Sequence, residues 1–216
     1  QQAAISDDRF IPGLQRLADR VHAHGAKIAA QLHHGGLVAG YGFQEWGHPL
    51  WAPSVPPPPR GDFTQYFLME ELAGMAGYKP PELKILDQDD IDLAVRQFGE
   101  GARRAKEAGL DGVEIHGAHG YLIDQFLRDG ANDRNDDYGG SIAHRARLLL
   151  EIVDATSSVF GAGRVSVRIS PLVPYNDMRD SNPEALVEYV ARELDRRKIG
   201  FFEVRHADFR DPAEQI

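Results

Sequence analysis

The sequence contains no cysteine, which excludes disulfides, thiolate nucleophiles, zinc ribbons and iron–sulfur clusters. That composition suits a reducing compartment, so a cytoplasmic location is expected. No apolar run approaches the roughly 18 residues that a membrane-spanning helix requires. Basic residues are in deficit: 24 Lys and Arg against 33 Asp and Glu leave a net charge of −9. A nucleic-acid partner is therefore not expected, because phosphate backbones need a basic face. No G-x-G-x-x-G follows any strand-like run, so the usual dinucleotide fingerprint is missing as well. What is present is ordinary for a globular protein: 216 residues, 42% hydrophobic and 26% charged, enough for one domain with a real core. The chain opens Gln1-Gln2-Ala3 without a visible leader and stops at Ile216, just after a strand-like run. The expectation is a piece of something longer.

Helical and strand periods alternate along the chain. Asp8–His24 carries Phe10, Leu14, Leu17, Ala18 and Val21 at helical spacing and ends at Gly25. Lys27–Leu32 (KIAAQL) reads as a buried strand. Asp89–Gly109 is a second helix, and Gly112–His116 (GVEIH) a second strand. Ser141 is placed to cap a helix running through Val159, followed by the strand Arg164–Ser170 (RVSVRIS). Pro183–Arg197 is a helix with proline in its first turn, and Phe201–Arg205 (FFEVR) a fourth strand. Strict alternation implies an α/β fold with a parallel sheet of right-handed βαβ units.

The strand faces decide between an open sheet and a barrel. An open parallel sheet with helices on both sides is apolar on both. Here Val113 and Ile115 oppose Glu114 and His116, and Val165, Val167 and Ile169 oppose Ser166, Arg168 and Ser170. One apolar face for outer helices and one polar face for a lumen predict a (β/α)8 TIM barrel. In such barrels the site lies at the carboxyl ends of the strands. Those ends carry Gln31 with His33 and His34, then His116-Gly-Ala-His119-Gly-Tyr121, then Arg168. The segment at roughly 35–85, rich in Gly, Pro and aromatics and including Pro56-Pro57-Pro58-Pro59, is too long for a plain connection and reads as a lid or insert over that mouth.

The runs Ala108–Leu127 (AGLDGVEIHGAHGYLIDQFL) and Asn132–Arg147 (NDRNDDYGGSIAHRAR) resemble the old yellow enzyme family of FMN-dependent ene-reductases. Gln31-Leu32-His33-His34-Gly35, Ala52-Pro53-Ser54 and Val167-Arg168-Ile169-Ser170-Pro171 fall in the same order as in that family. The resemblance covers nearly the whole chain and implies that 1–216 is part of a flavin-dependent barrel, holding strands three to six of eight. It implies non-covalent FMN, NAD(P)H as reductant and small activated alkenes as substrates: enones, maleimides and nitroalkenes, with nitrate esters a further class. Kinetics would be ping-pong, and the protein a monomer or homo-oligomer.

The same resemblance distributes roles. Gln31 would hydrogen-bond the pyrimidine edge of the flavin, where a carboxamide matches alternating donors and acceptors. Arg168 would sit near N1 and O2, where reduced flavin gathers negative charge. His116 and His119 would grip the substrate's carbonyl or nitro oxygen, and two donors on one oxygen stabilise enolate-like charge. Tyr121 would deliver the proton to the α-carbon, since a phenol of pKa about 10 remains protonated at neutral pH. His33 is expected to shape the substrate pocket, standing where many relatives carry another residue. Leu37 stands where an arginine is frequent, and Ala143-His144 replace a usual Glu-Asn. Tyr175 and Asn176 are expected to line the pocket without a catalytic role.

Taken without the family, these residues have other readings. Arg168 can be half of a lumenal ion pair with Glu114, and Tyr121 can be a packing residue. His33, His34, His116 and His119 can be ligands of a metal-dependent barrel hydrolase, although that leaves Gln31 and Arg168 without a role and aims a guanidinium at a dication. No metal is expected. A flavin-binding relative without turnover is the remaining alternative.

Overall fold

Four parallel strands form the frame, in the order β1 (Ala29–Leu32), β4 (Gly112–Gly117), β5 (Val165–Ile169) and β6 (Phe201–Val204). The computed structural model describes residues 4–41, 49–56 and 82–205. Of the 35–85 insert, 42–48 and 57–81, including most of the proline run, lie outside the described residues.

Each strand is preceded by a helix whose boundaries are set locally. Asp7 accepts a hydrogen bond from the Arg9 backbone, and helix α1 (Ile11–His22) follows with Pro12 in its first turn. Helix α2 (Gln88–Glu107) starts with a reciprocal capping box: Asp90 N–H donates to Asp87, and Asp87 N–H donates to Asp90. Its apolar stripe, Ile91, Ala94, Phe98, Ala102 and Ala105, is buried. Helix α6 (Pro183–Arg197) has the predicted bounds because Asn182 caps it and proline opens it.

The two faces of the sheet divide as their alternation predicts. Val113, Ile115, Val165, Val167 and Ile169 are at most 1% exposed and belong to the hydrophobic core that α2 and the helix α5 (Arg147–Phe160) share. Each such side chain contributes about 1.5–3 kcal/mol relative to exposure, so this face supplies the stability. The opposite face carries Gln31, Glu114, His116, Ser166, Arg168 and Glu203 and is left for chemistry.

Three elements differ from expectation. A short helix, α3 (Leu122–Leu127), follows directly on Tyr121. The helix expected from Ser141 to Val159 is two, α4 (Ile142–Arg145) and α5 (Arg147–Phe160), joined at the buried Ala146. Inside the insert, β2 (Leu50–Ala52) and β3 (Leu83–Ile85) pair in parallel as a second sheet. Among the described residues, no helix is long and apolar enough to cross a membrane.

Candidate functional site

The strand register builds the polar face in layers. Gln31 pairs with Glu114, and Glu114 with Ser166; one layer further toward the carboxyl ends, His116 pairs with Arg168 and Arg168 with Glu203. His33 lies just past the end of β1, two residues beyond Gln31. The Gln31 amide donates to Glu114. Arg168 therefore does not pair with Glu114, as the sequence alone allowed: its Nε lies 3.1 Å from Glu203 Oε1. That contact is an ion pair not aligned as a hydrogen bond, so the buried Arg168 Nε has no hydrogen-bond partner.

Beyond β4 the chain turns through His116–Tyr121, and the turn is over-determined. His119 has φ 57° and Gly120 φ 75°, left-handed values that favour glycine. A Cβ on Gly120 would lie 2.6 Å from Asn176 Cβ, so only glycine fits there. The His119 backbone N–H donates to Ser170 Oγ at 2.8 Å, and its carbonyl accepts from Asn176 Nδ2 at 2.7 Å. Gly120 N–H donates to Asp124 Oδ2 at 2.9 Å, and its carbonyl accepts from Gln125 Nε2 at 2.6 Å. Tyr121 then becomes the N-cap residue of α3. The loop after β5 is fixed to the same body by Arg128, 1% exposed, which donates to the carbonyls of Ser170, Pro171 and Val173.

This scaffold gathers the predicted rings. His116 lies 5.2 Å from His119 and 5.0 Å from Tyr121 between ring centroids, and His33 lies 5.3 Å from Tyr121. His34 is drawn elsewhere. Its Nδ1 accepts the Gly36 N–H at 3.1 Å, and its ring stacks on Trp51 at 5.0 Å. Among the described residues, no three His, Asp or Glu are arranged to hold a metal ion.

The electrostatics keep the imidazoles uncharged. Burial pushes His116 down to about 3, helped by His119, His33 and Arg168 nearby. Burial also pushes His119 down to about 4, helped by Arg168 and Arg205. Both are neutral at pH 7 and can offer an N–H without carrying charge. His116 Nδ1 is buried, and a contact of the ring with the Ala118 backbone works the other way, favouring the charged form. Behind the turn, burial raises the Asp124 carboxyl to about 6 against the pull of Arg128.

Sequence reasoning missed two members of this neighbourhood. Glu203 is the carboxylate facing Arg168, and Arg205 Nη1 lies 3.2 Å from His119 Nε2 with its guanidinium 5.4 Å from the Tyr175 ring centroid. The alternation of FFEVR puts both on the polar face, so the signal was available. The Tyr175 ring sits 5.8 Å from that of His119 between centroids. The described part of the insert packs beside the site: Ser54 Oγ donates to the Ala131 carbonyl, and Arg134 donates to the carbonyls of Pro53 and Leu86.

The residues suit a flavin edge. Gln31 is exposed on the lumenal face, with an amide that can both donate and accept. Arg168 offers a cation, ion-paired to Glu203, with a buried Nε donor that makes no hydrogen bond.

The sequence matches the NADH:flavin oxidoreductase / NADH oxidase family over residues 1–215. It is 38% identical over 213 residues to a protein of Leishmania infantum named "Probable flavin mononucleotide-dependent alkene reductase", covering 98% of this chain and 57% of that protein. It is 41% identical to 12-oxophytodienoate reductase 1 of Oryza sativa subsp. japonica over 89% of this chain and 47% of that one. Among solved structures, morphinone reductase in complex with tetrahydroNAD superposes with a TM-score of 0.80 at 36% identity, over 98% of this chain and 57% of that one. An old yellow enzyme homologue from Zymomonas mobilis gives 0.79 at 32% identity, over 94% and 54%. The chain thus spans about half the length of the curated relatives it matches, and its four-stranded sheet is part of a (β/α)8 barrel.

Proposed function

Since the chain belongs to the NADH:flavin oxidoreductase / NADH oxidase family, that of the old yellow enzymes, we propose that the whole protein is an FMN-dependent, NAD(P)H-consuming reductase of activated C=C bonds. This chain supplies the substrate-facing part of its barrel. The observation that carries the reading is the convergence of His116, His119 and Tyr121 at ring separations of 5.0–5.2 Å, beside Gln31 and Arg168 on the same face.

When bound, the reduced flavin supplies a hydride to the alkene β-carbon. Gln31 and Arg168 are the residues of this chain that hold it, the amide on its polar edge and the guanidinium beside the charge that gathers on reduction. His116 and His119 donate hydrogen bonds to the substrate's carbonyl or nitro oxygen, and each such donor contributes about 10²–10³ in rate. Being neutral, they give up no proton of their own at pH 7. Tyr121 O–H delivers the proton to the α-carbon, so the C=C bond gains one hydride and one proton. His33, against Tyr121, borders the substrate.

The test uses the full-length protein with FMN, reduced anaerobically with NADPH and then mixed with 2-cyclohexenone. Flavin reoxidation with stoichiometric cyclohexanone is the expected result. A flavin that NADPH never bleaches would leave a non-catalytic relative instead. Tyr121→Phe should slow reoxidation by about 10²-fold and spare reduction by NADPH; equal loss in both half-reactions would remove Tyr121 from the proton step.

A further inference from the structure

His119 is held at three points, and the third is unlike the other two. Ser170 and Asn176 fix its backbone N–H and carbonyl, whereas Arg205 addresses the ring itself at Nε2. Arg205 is delivered there by the sheet. Its backbone N–H donates to the Ile169 carbonyl at 2.9 Å, extending the β5–β6 ladder by one residue, and its guanidinium lies over Tyr175.

We propose that Arg205 is a positioning residue that fixes the tautomer of His119, holding its single proton on Nδ1 so that Nδ1–H is the donor offered to the substrate oxygen. The argument is one of inventory. A guanidinium has five N–H donors, no acceptor, and does not lose its proton. At 3.2 Å the contact is a hydrogen bond only if His119 Nε2 accepts. A neutral ring accepting at Nε2 carries its proton on Nδ1, and that leaves one ring donor for a ligand. The groups around the ring agree. His116, Arg168, Arg205 and Tyr175 surround it, and the two cations oppose a second proton. The backbone clamps and the φ of 57° fix where Cα and Cβ of His119 stand, and Arg205 is the group that addresses the ring nitrogen.

The role in turnover rests on His119 being an oxygen-binding donor in the proposed reaction; the tautomer does not. The experiment is therefore done in two parts on the full-length FMN protein. Nitrogen-15 NMR of histidine-labelled protein, assigned with His119→Ala, should find Nε2 of His119 unprotonated and Nδ1 protonated at pH 7. Arg205→Met should convert it to a mixture or to the Nε2–H form, and Arg205→Lys, which keeps a charged donor, should restore Nδ1–H. Anaerobic stopped-flow should show Arg205→Met slowing reoxidation by 2-cyclohexenone about tenfold, the loss of one oriented hydrogen bond. Reduction by NADPH should change less than about twofold, and Arg205→Lys should recover most of the loss. An Nε2–H tautomer in the unaltered protein would overturn the proposal even if Arg205→Met does not fold. So would an Arg205→Met protein with unchanged tautomer and unchanged reoxidation. If the unaltered protein reduces no alkene, the proposed function fails, while the NMR still decides the tautomer.

Discussion

The two ends of the parallel sheet use the same ingredients, left-handed turns and ion pairs, in opposite ways. At the amino ends, Gly25 and Gly109 turn the chain from a helix into β1 and β4 with φ of 74° and 80°, and nothing lies within 4 Å of where a Cβ would be. The carboxylate there, Asp111, pairs with Lys27 and His22 at the surface. At the carboxyl ends, Gly120 has φ 75°, but a Cβ would run into Asn176. The charges there, Arg128 and Asp124, are each 1% exposed. One end only closes a connection; the other must hold several rings in one place, and it does so with groups that have no slack.

The largest effect that tests this contrast is Arg128→Met. Methionine fills similar space, but three backbone carbonyls lose their donor and Asp124 loses the cation that lies 4.0 Å from it. Removing one partner of a buried pair costs about 3–5 kcal/mol, read as a loss of urea midpoint in the full-length protein. A loss under about 1 kcal/mol would mean that the loop after β5 is held by something other than Arg128, and the carboxyl end would be no more rigid than the amino end.

Next comes a pair of identical substitutions at near-identical backbone angles. Gly109→Ala should cost about 1 kcal/mol, the penalty of a left-handed alanine in open space. Gly120→Ala carries the same penalty plus a further ~1–3 kcal/mol for displacing Asn176, and Asn176 holds the His119 carbonyl. Gly120→Ala should therefore lose the proposed alkene reduction as well as stability, and Gly109→Ala should leave its kcat/KM unchanged. Equal costs would erase the distinction between the two ends.

How much of this was legible beforehand depends on whether the constraint is local. Strand faces and the His116–Tyr121 cluster follow from alternation and spacing within a few residues. So does α6, bounded by Asn182 and Pro183. Helix α3 was not legible, because six residues are too few to display a 3.6-residue period. β2 and β3 were hidden for another reason: three-residue strands whose partner lies some thirty residues away leave no pattern. The partner of Arg168 needed the register. Once Arg168 faces His116, Glu114 sits two residues back along β4, about 6.6 Å lower, and Glu203 on the neighbouring strand is level with it. Arg205 was readable as a polar-face residue, but its contact with His119 spans 86 positions and exists only after folding.

Acid separates the two ends without any substitution. His34, His116 and His119 fall from 6.5 to about 4, 3 and 4. Between pH 6.5 and about 4 the unfolded chain therefore binds these protons and the folded one does not, so stability falls as pH falls. Asp124 opposes this: its carboxyl, raised from 3.8 to about 6, takes up a proton in the folded state over much of the same window. Burial holds His33 down as well, so four imidazoles oppose one carboxyl and the unfolded state holds more protons near pH 5. Tm should drop steadily from pH 6.5 to 5, and unfolding at pH 5 should take up protons from the buffer. At the amino end, Asp111 is held below its ordinary value by Lys27, then His22 and the Ile28 N–H, so its contribution is lost only below pH 3.8. A flat Tm between 6.5 and 5 would mean that the histidines are not shielded as the carboxyl-end packing requires.

The smallest effect belongs to Asp111→Asn. The asparagine oxygen can still accept the Ile28 N–H that Asp111 receives at 3.0 Å, so the link between the α1–β1 and α2–β4 connections survives. What is lost is the charge facing Lys27, whose side chain is 81% exposed, and the half-exposed His22. A lysine that free loses rotamer entropy on pairing, and water and salt screen what it gains. Tm should change less than in any variant above, and the difference should vanish in 0.5 M salt. The proposed alkene reduction should be untouched, since Asp111 precedes β4 and His116 lies near its far end. A large, salt-independent loss of stability would show that the amino end is braced as firmly as the carboxyl end, and the rigidity around His119 would then be a property of the whole sheet.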